Sequence, residues 1–444
     1  MKRKLMLKIA IDRGGTFTDI YAVYKDKVIV KKILSESPFY EDSNTQAIKE
    51  VFEELGEEFD LSKIEWIRLG TTVGTNALLE GKGADVTFVV TKGFGDLLEI
   101  RDQRREDLFA LNIKKPKPLY KRVVEIDERV MPGGEVIKAL EGEIKFDENI
   151  AVLFLHSYEY PEHEKKIKAK SISRSHEVYP IINAVYRGDT TVIDAYLTPV
   201  IKEYVAKIKK NLGENIYFMK SDGGLCGADE FRGANSILSG PAGGVVALKT
   251  IYKDKALIGF DMGGTSTDVS RFDGEIELKY FDKIAGHYIS YPMVDIHTVA
   301  AGGGSRLFYK DGMFLVGPES SGSNPGPLCY GRDGYLSITD ANAVTGRIDV
   351  ENFPKIFGKS GKEPLDIEAS KRGFEEIAKK VGKSIEEVAE AFLDVANENM
   401  ANAIKEITIK KGFNPSEHVL CSFGGAGAQH AVGVARKLGI KEIF

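Results

Sequence analysis

Short apolar runs alternate along the chain with segments whose apolar residues recur every three or four positions. The runs at 5–11, 20–24 and 28–34 have the length and turn-like separation of three consecutive strands. Further runs at 86–90, 151–155, 178–182, 216–219 and 256–260 predict buried strands. Helical spacing marks 44–55, 191–211, 241–250, 368–381, 384–411 and 428–438. Ser384 and Glu387 have the spacing of a capping box at the head of the longest of these. Strands and helices alternating in this way predict α/β layers. The Gly-, Ser- and Pro-rich stretch 317–334 is the most loop-like region, and a loop of that length is usually functional.

One pattern occurs twice. Asp12-Arg-Gly-Gly-Thr-Phe-Thr-Asp19 and Asp261-Met-Gly-Gly-Thr-Ser-Thr-Asp268 share D-x-G-G-T-x-T-D. Each follows one apolar run and precedes another, so each reads as the tip of a β-hairpin rather than a strand-to-helix turn. The repetition implies two similar domains facing each other. Glycines in a tight turn expose successive backbone N–H groups and let a phosphate approach. The Asp at the strand end cannot sit on a phosphate, but it can hold Mg²⁺ through water. A third cluster, Phe423-Gly-Gly-Ala-Gly-Ala-Gln-His430, follows a short apolar run and opens a helix, where a flat base or a phosphate can pack closely.

Composition narrows the classes. The 444 residues suggest two or three domains. A net charge of −5 argues against a nucleic-acid partner bound through a basic face. Hydrophobic content of 43% describes a globular chain with ample core. No run approaches the roughly 20 apolar residues of a membrane helix, and the first run is broken by Lys8 and leads straight into Asp12, so no leader and a cytoplasmic location are expected. Three cysteines, Cys226, Cys329 and Cys421, form no disulfide framework or zinc pattern and read as buried apolar residues. None of the seven histidines has metal-ligand spacing. The charged run 101–107 reads as a solvated or interface helix.

The order of hairpin, hairpin and glycine turn resembles the actin-like ATPase superfamily of sugar and acetate kinases, actin and chaperone ATPases. The match is closer to the hydantoinase A / 5-oxoprolinase family. It is carried by the two hairpins, Gly70-Thr-Thr-Val-Gly-Thr-Asn-Ala-Leu-Leu79, Ser239-Gly-Pro-Ala-Gly-Gly244, Ala301-Gly-Gly-Gly-Ser305, Asn324-Pro-Gly-Pro327 and the Phe423 turn. Arg13, Asp107-Leu-Phe109, Phe353-Pro-Lys-Ile-Phe-Gly358, Pro364-Leu-Asp366 and Gln429 resemble the ATP-dependent 5-oxoprolinase branch. Departures are Gly74, Asp194 and Ala428, where the family usually has Ala, Asn, and Gly or Pro. Family subunits continue beyond the glycine turn, so this chain is expected to be a split-gene product, a truncated form, or a subunit completed by another polypeptide.

The resemblance implies an α/β fold of two actin-like (ribonuclease H-like) domains, 1–190 and 191–444, with mixed sheets flanked by helices and a nucleotide cleft between them. It implies ATP and Mg²⁺ as cofactors, and ATP-driven opening of a cyclic amide, 5-oxo-L-proline to L-glutamate. Gly14, Gly15, Thr16, Thr18, Gly263, Gly264, Thr265 and Thr267 are then assigned to phosphates, and Asp12 and Asp261 to Mg²⁺. Gly424, Gly425 and Ala426 are assigned to adenosine. A substrate carboxylate needs a cation. Arg306, after the 301–305 glycine run, and Arg187 are the candidates, each with an alternative reading as a structural clamp. His297 is a candidate polar contact or a core histidine. Expected partners are the small cyclic amide and a hydantoinase B-like subunit or a polypeptide supplying the missing segment. Hydantoin opening, an acetone carboxylase role, and a nucleotide-binding regulatory subunit without its own catalysis stand as alternatives.

Overall fold

The computed structural model describes residues 6–37, 39–103, 109–113 and 115–444. They divide into two compact units, one of Met1–Gly70, Gly240–Glu277 and Val294–Phe444, the other of Thr71–Ser239 and Leu278–Met293. This division differs from one at residue 190, because the helix Ala184–Leu212 runs unbroken through that point. Both glycine hairpins fall within the first unit.

In the first unit, Leu7–Arg13, Phe17–Tyr24 and Lys27–Leu34 form an antiparallel meander, with Ile64–Thr71 on the free side of Leu7–Arg13. Period-two alternation buries Leu7, Ile9, Ile11, Ile20 and Ala22, leaving the intervening positions for the opposite face. The helix Ser43–Leu55, capped by the Asp42 carboxylate at the Thr45 amide, turns Ala47, Ile48, Val51 and Phe52 inward. A second sheet runs in the order Ile296–Val299, Thr267–Phe272, Leu257–Met262, Val419–Phe423, Glu442–Ile443. Its first two pairings are antiparallel and its last two parallel, so the sheet is mixed. Ile258, Phe260, Met262 and Val269 pack there against Phe392, Met400 and Ile404 of the helix Ile385–Ile407 and Val434 of the helix Gly427–Leu438. The expected capping box is formed: the Ser384 hydroxyl accepts from the Glu387 amide at 3.1 Å and the Glu387 carboxylate from the Ser384 amide at 2.8 Å.

The second unit holds a parallel sheet in the order Ile167–Arg174, Ile144–Leu153, Thr87–Thr91, Arg122–Ile126. Thr87–Thr91 is buried along its whole length, as a central parallel strand must be. Val192 and Ala195 of the helix Ala184–Leu212 join Phe88, Val90 and Leu153 in its core. That helix begins seven residues before 191 because the Asn183 side chain caps the Tyr186 amide.

Two further expectations change. Residues 178–182 are not a strand: Ser175–Val178 is a helical turn, Pro180 has no N–H, and the Ile181 and Ile182 carbonyls accept from Arg187 instead of a ladder. The stretch 317–334 is not all loop, since Met313–Ser320 is a strand paired with Ser305–Lys310. Of the charged run, residues 104–107 lie outside the described residues. Arg101 closes the short helix Leu97–Ile100 and pairs with Asp189. The α/β class, with mixed sheets flanked by helices, is as the sequence predicts. Among the described residues, no helix is long and apolar enough to cross a membrane.

Candidate functional site

The repeated pattern folds the same way twice. In the first hairpin, Asp12 stands directly across from Asp19 and the Gly14 amide closes the turn on the Phe17 carbonyl at 3.0 Å. In the second, Asp261 faces Asp268 and the Gly263 amide closes on the Ser266 carbonyl at 3.0 Å. Cross-strand neighbours share a face, so each D…D pair becomes two adjacent carboxylates.

The two tips meet. A methyl group on Gly264 would fall inside the Thr16 hydroxyl, and a Cβ on Gly15 would lie 3.7 Å from the Thr265 methyl. Glycine at 264 is therefore a requirement of close approach. The Thr16 hydroxyl is only 4% exposed as a residue and has no hydrogen-bond partner among the described residues. A buried hydroxyl without a partner is costly, so it marks a place for a polar ligand.

The third glycine turn joins them. Val419–Phe423 runs parallel to Leu257–Met262 with Phe423 beside Asp261, and the Ala426 amide donates to the Met262 carbonyl at 2.9 Å. Gly424 has φ of +81°, and a Cβ there would lie 2.6 Å from the Met262 carbonyl oxygen and overlap the Asp261 carboxylate. Only glycine fits both constraints. Gly425 lies beside Lys32, whose ammonium reaches Asp19 at 2.5 and 2.7 Å.

Crowded acids shift one another. Enclosure by protein, then the Asp19 carboxylate and, more weakly, Asp268, push Asp12 up to about 6, with Lys32 opposing. Asp12 remains reachable by solvent, and its shift is the smaller of the two. Enclosure, then Asp268, Asp12 and Asp19, push Asp261 up to about 8, again opposed by Lys32. A cation would relieve this repulsion and ionise the pair. Among the described residues, no three His, Cys, Asp or Glu side chains converge tightly enough to hold a metal by themselves. The donor set fits Mg²⁺, which keeps its waters and shares itself between a carboxylate or two and substrate phosphates.

Other predicted residues are engaged elsewhere. The Thr18 hydroxyl is buried against those of Ser35 and Ser43, each at 3.0 Å, and the Thr267 hydroxyl donates to the Ala301 carbonyl. Both brace their hairpins from behind, since alternation turns them away from the Asp face. In the run 301–305, Gly302 donates to the Ser305 hydroxyl, Gly303 to the Gly263 carbonyl and Gly304 to the Gly264 carbonyl. That run is a strap under the second hairpin rather than an anion turn, because its amides are committed. Arg306 stacks on Tyr335, with 3.9 Å from guanidinium carbon to ring centre. Arg187 is wholly buried in the second unit, donating to the Ser175 hydroxyl and the Phe154, Ile181 and Ile182 carbonyls; it is a clamp. His297 stands exposed across from Val269. Sequence reasoning missed Asp19 and Asp268 as members of the acidic group, although hairpin register supplied the signal. It also missed Lys32, which no motif marks.

The family model described as Hydantoinase/oxoprolinase matches residues 187–444, and that of the Hydantoinase/oxoprolinase N-terminal region matches 8–175. A 5-oxoprolinase of Dictyostelium discoideum is 45% identical over the whole chain, which covers 42% of that protein. The caprolactamase subunit alpha of Pseudomonas jessenii is 30% identical over 99% of this chain and 68% of its own length. The nucleotide-free structure of an acetone carboxylase superposes with a TM-score of 0.80 at 24% identity, over 99% of this chain and 68% of that one, a likeness of fold. The chain thus spans about two-fifths of the length of the curated 5-oxoprolinases it matches.

Proposed function

The chain belongs to the hydantoinase/oxoprolinase family, and from that premise we propose that it is the ATP-binding, amide-activating part of an enzyme that opens a cyclic amide, 5-oxo-L-proline to L-glutamate. The observation that carries the reading is the meeting of two glycine hairpins and a glycine turn around the unpartnered Thr16 hydroxyl and four carboxylates. The choice of 5-oxoproline rests on 45% identity to a 5-oxoprolinase.

Bound ATP with Mg²⁺ would supply the phosphoryl group that turns the ring amide oxygen into an ester and makes its carbon electrophilic. Asp12 and Asp261 hold the cation through water. Gly14 and Gly263 keep their turns closed, so Gly15, Thr16, Gly264 and Thr265 present amides and hydroxyls to the phosphates. Gly424, Gly425 and Ala426 form the floor for adenosine. These groups position and neutralise charge, which is most of what phosphoryl transfer asks of a protein. Completing the hydrolysis requires a positioned water, which we assign to a hydantoinase B-like polypeptide, in keeping with the caprolactamase relative's being named a subunit.

The test is the purified chain with ATP and Mg²⁺, offered 5-oxoproline, hydantoin or acetone separately, with ADP and ring-opened product measured directly. We expect slow ADP release, selective for 5-oxoproline, and glutamate only when the second polypeptide is added. Absence of ATP–Mg²⁺ binding would overturn the nucleotide reading. Glutamate equal to ADP from this chain alone would overturn the need for a partner.

A further inference from the structure

The duplicated hairpins are not duplicated in their third strand. Asp19 lies in register with Lys32, and Asp268 lies in register with Thr298. The Thr298 hydroxyl donates to Asp268 at 2.5 Å, while the Lys32 ammonium holds both oxygens of Asp19. A hydroxyl suffices to orient the outer carboxylate in one copy, so orientation does not explain a full charge in the other. Lys32 is also placed differently. Its ammonium lies over the Phe17 ring, 5.0 Å from the ring centre, and 3.7 Å from where Gly425 would carry a Cβ. It therefore lies between the first hairpin and the glycine turn, with its charge felt by Asp12 and Asp261 alike. Among the described residues, Asp19 is the hydrogen-bond partner it has, and an ammonium carries three donors.

We infer that Lys32 is a movable counter-ion: through Asp19 it neutralises the acidic group, and it turns to the phosphate chain of the nucleotide when a divalent cation takes over the carboxylates. The stem is flexible and the ammonium a compact point charge, which suits exchange between two anions better than a guanidinium fork would. The inference rests on the nucleotide reading above and adds a nucleotide-binding residue to it.

Two ligands test it in opposite directions. Mn²⁺ alone, followed by water-proton relaxation, reports on the acidic group; ATP–Mg²⁺, followed by calorimetry, reports on the full site. Lys32→Met should bind Mn²⁺ several-fold more tightly than the wild type, because a competing cation is gone. It should bind ATP–Mg²⁺ at least about tenfold more weakly. Lys32→Arg keeps the charge and should leave Mn²⁺ binding close to wild type, and the melting temperature of each variant checks its fold. Unchanged ATP–Mg²⁺ affinity in Lys32→Met, or Mn²⁺ binding no tighter than wild type, would overturn the inference. A wild-type chain that fails to bind ATP–Mg²⁺ sinks the nucleotide reading instead, so the two failures are distinguishable.

Discussion

At the residue scale the site is governed by like charges held together. Asp261 has its carboxyl pushed up to about 8 and Asp12 to about 6, against 3.8 for an ordinary aspartate. Both are more protonated in the fold than in the unfolded chain at neutral pH. Their contribution to stability is fully present below about pH 4 and is lost as pH rises through about 6 and then about 8. The metal-free chain should therefore lose melting temperature from pH 5 to pH 9, and Asp12→Asn with Asp261→Asn should flatten that slope, as a calorimetric series at fixed ionic strength would read. In the same charge logic, Asp261→Ala should weaken Mg²⁺-dependent ATP binding about tenfold, or 1.4 kcal/mol, by removing an anchor of the cation. Equal affinity at defined free Mg²⁺ would remove Asp261 from the site.

At the scale of elements, glycines and caps do the positioning. Gly424→Ala would place a methyl group against Asp261 and the Met262 carbonyl in a left-handed backbone. We expect about 1–3 kcal/mol of lost stability from the backbone alone, together with loss of nucleotide binding. Chemical unfolding and calorimetry measure the two parts separately, and a variant that melts and binds like the wild type would show that the turn tolerates a side chain. The hairpins were legible because D-x-G-G-T-x-T-D fixes both turn and register, and the long helix because Ser384 and Glu387 announce its start. Residues 178–182 misled because their apolar run serves a different purpose. Their carbonyls satisfy Arg187, a contact set by a helix that starts two residues after the run.

At the scale of the whole molecule, the division into units decides what each ligand or substitution touches. ATP–Mg²⁺ should slow amide exchange around 12–19, 261–268, 301–305 and 423–427, all in the first unit. Exchange in the parallel sheet of the second unit tests the contrast: Arg187→Met should speed it by removing the donor that the Ser175 hydroxyl and the Phe154, Ile181 and Ile182 carbonyls share, at about 1–3 kcal/mol for a buried group left uncompensated. Equal protection in wild type and variant would show that Arg187 is not the clamp of that unit. What the sequence determined by itself was local. Alternation set the strands, glycine spacing the turns, and the repeated aspartates the chemistry, because each depends on residues within one hairpin or one helix. What only the tertiary structure decided was which groups remain free and which are answered. The Thr18 and Thr267 hydroxyls and the 301–305 amides are committed to protein partners, while the Thr16 hydroxyl is not. Lys32 is drawn into the acidic group by a strand pairing and a glycine turn almost four hundred residues away in sequence, and no local pattern can encode contacts of that range.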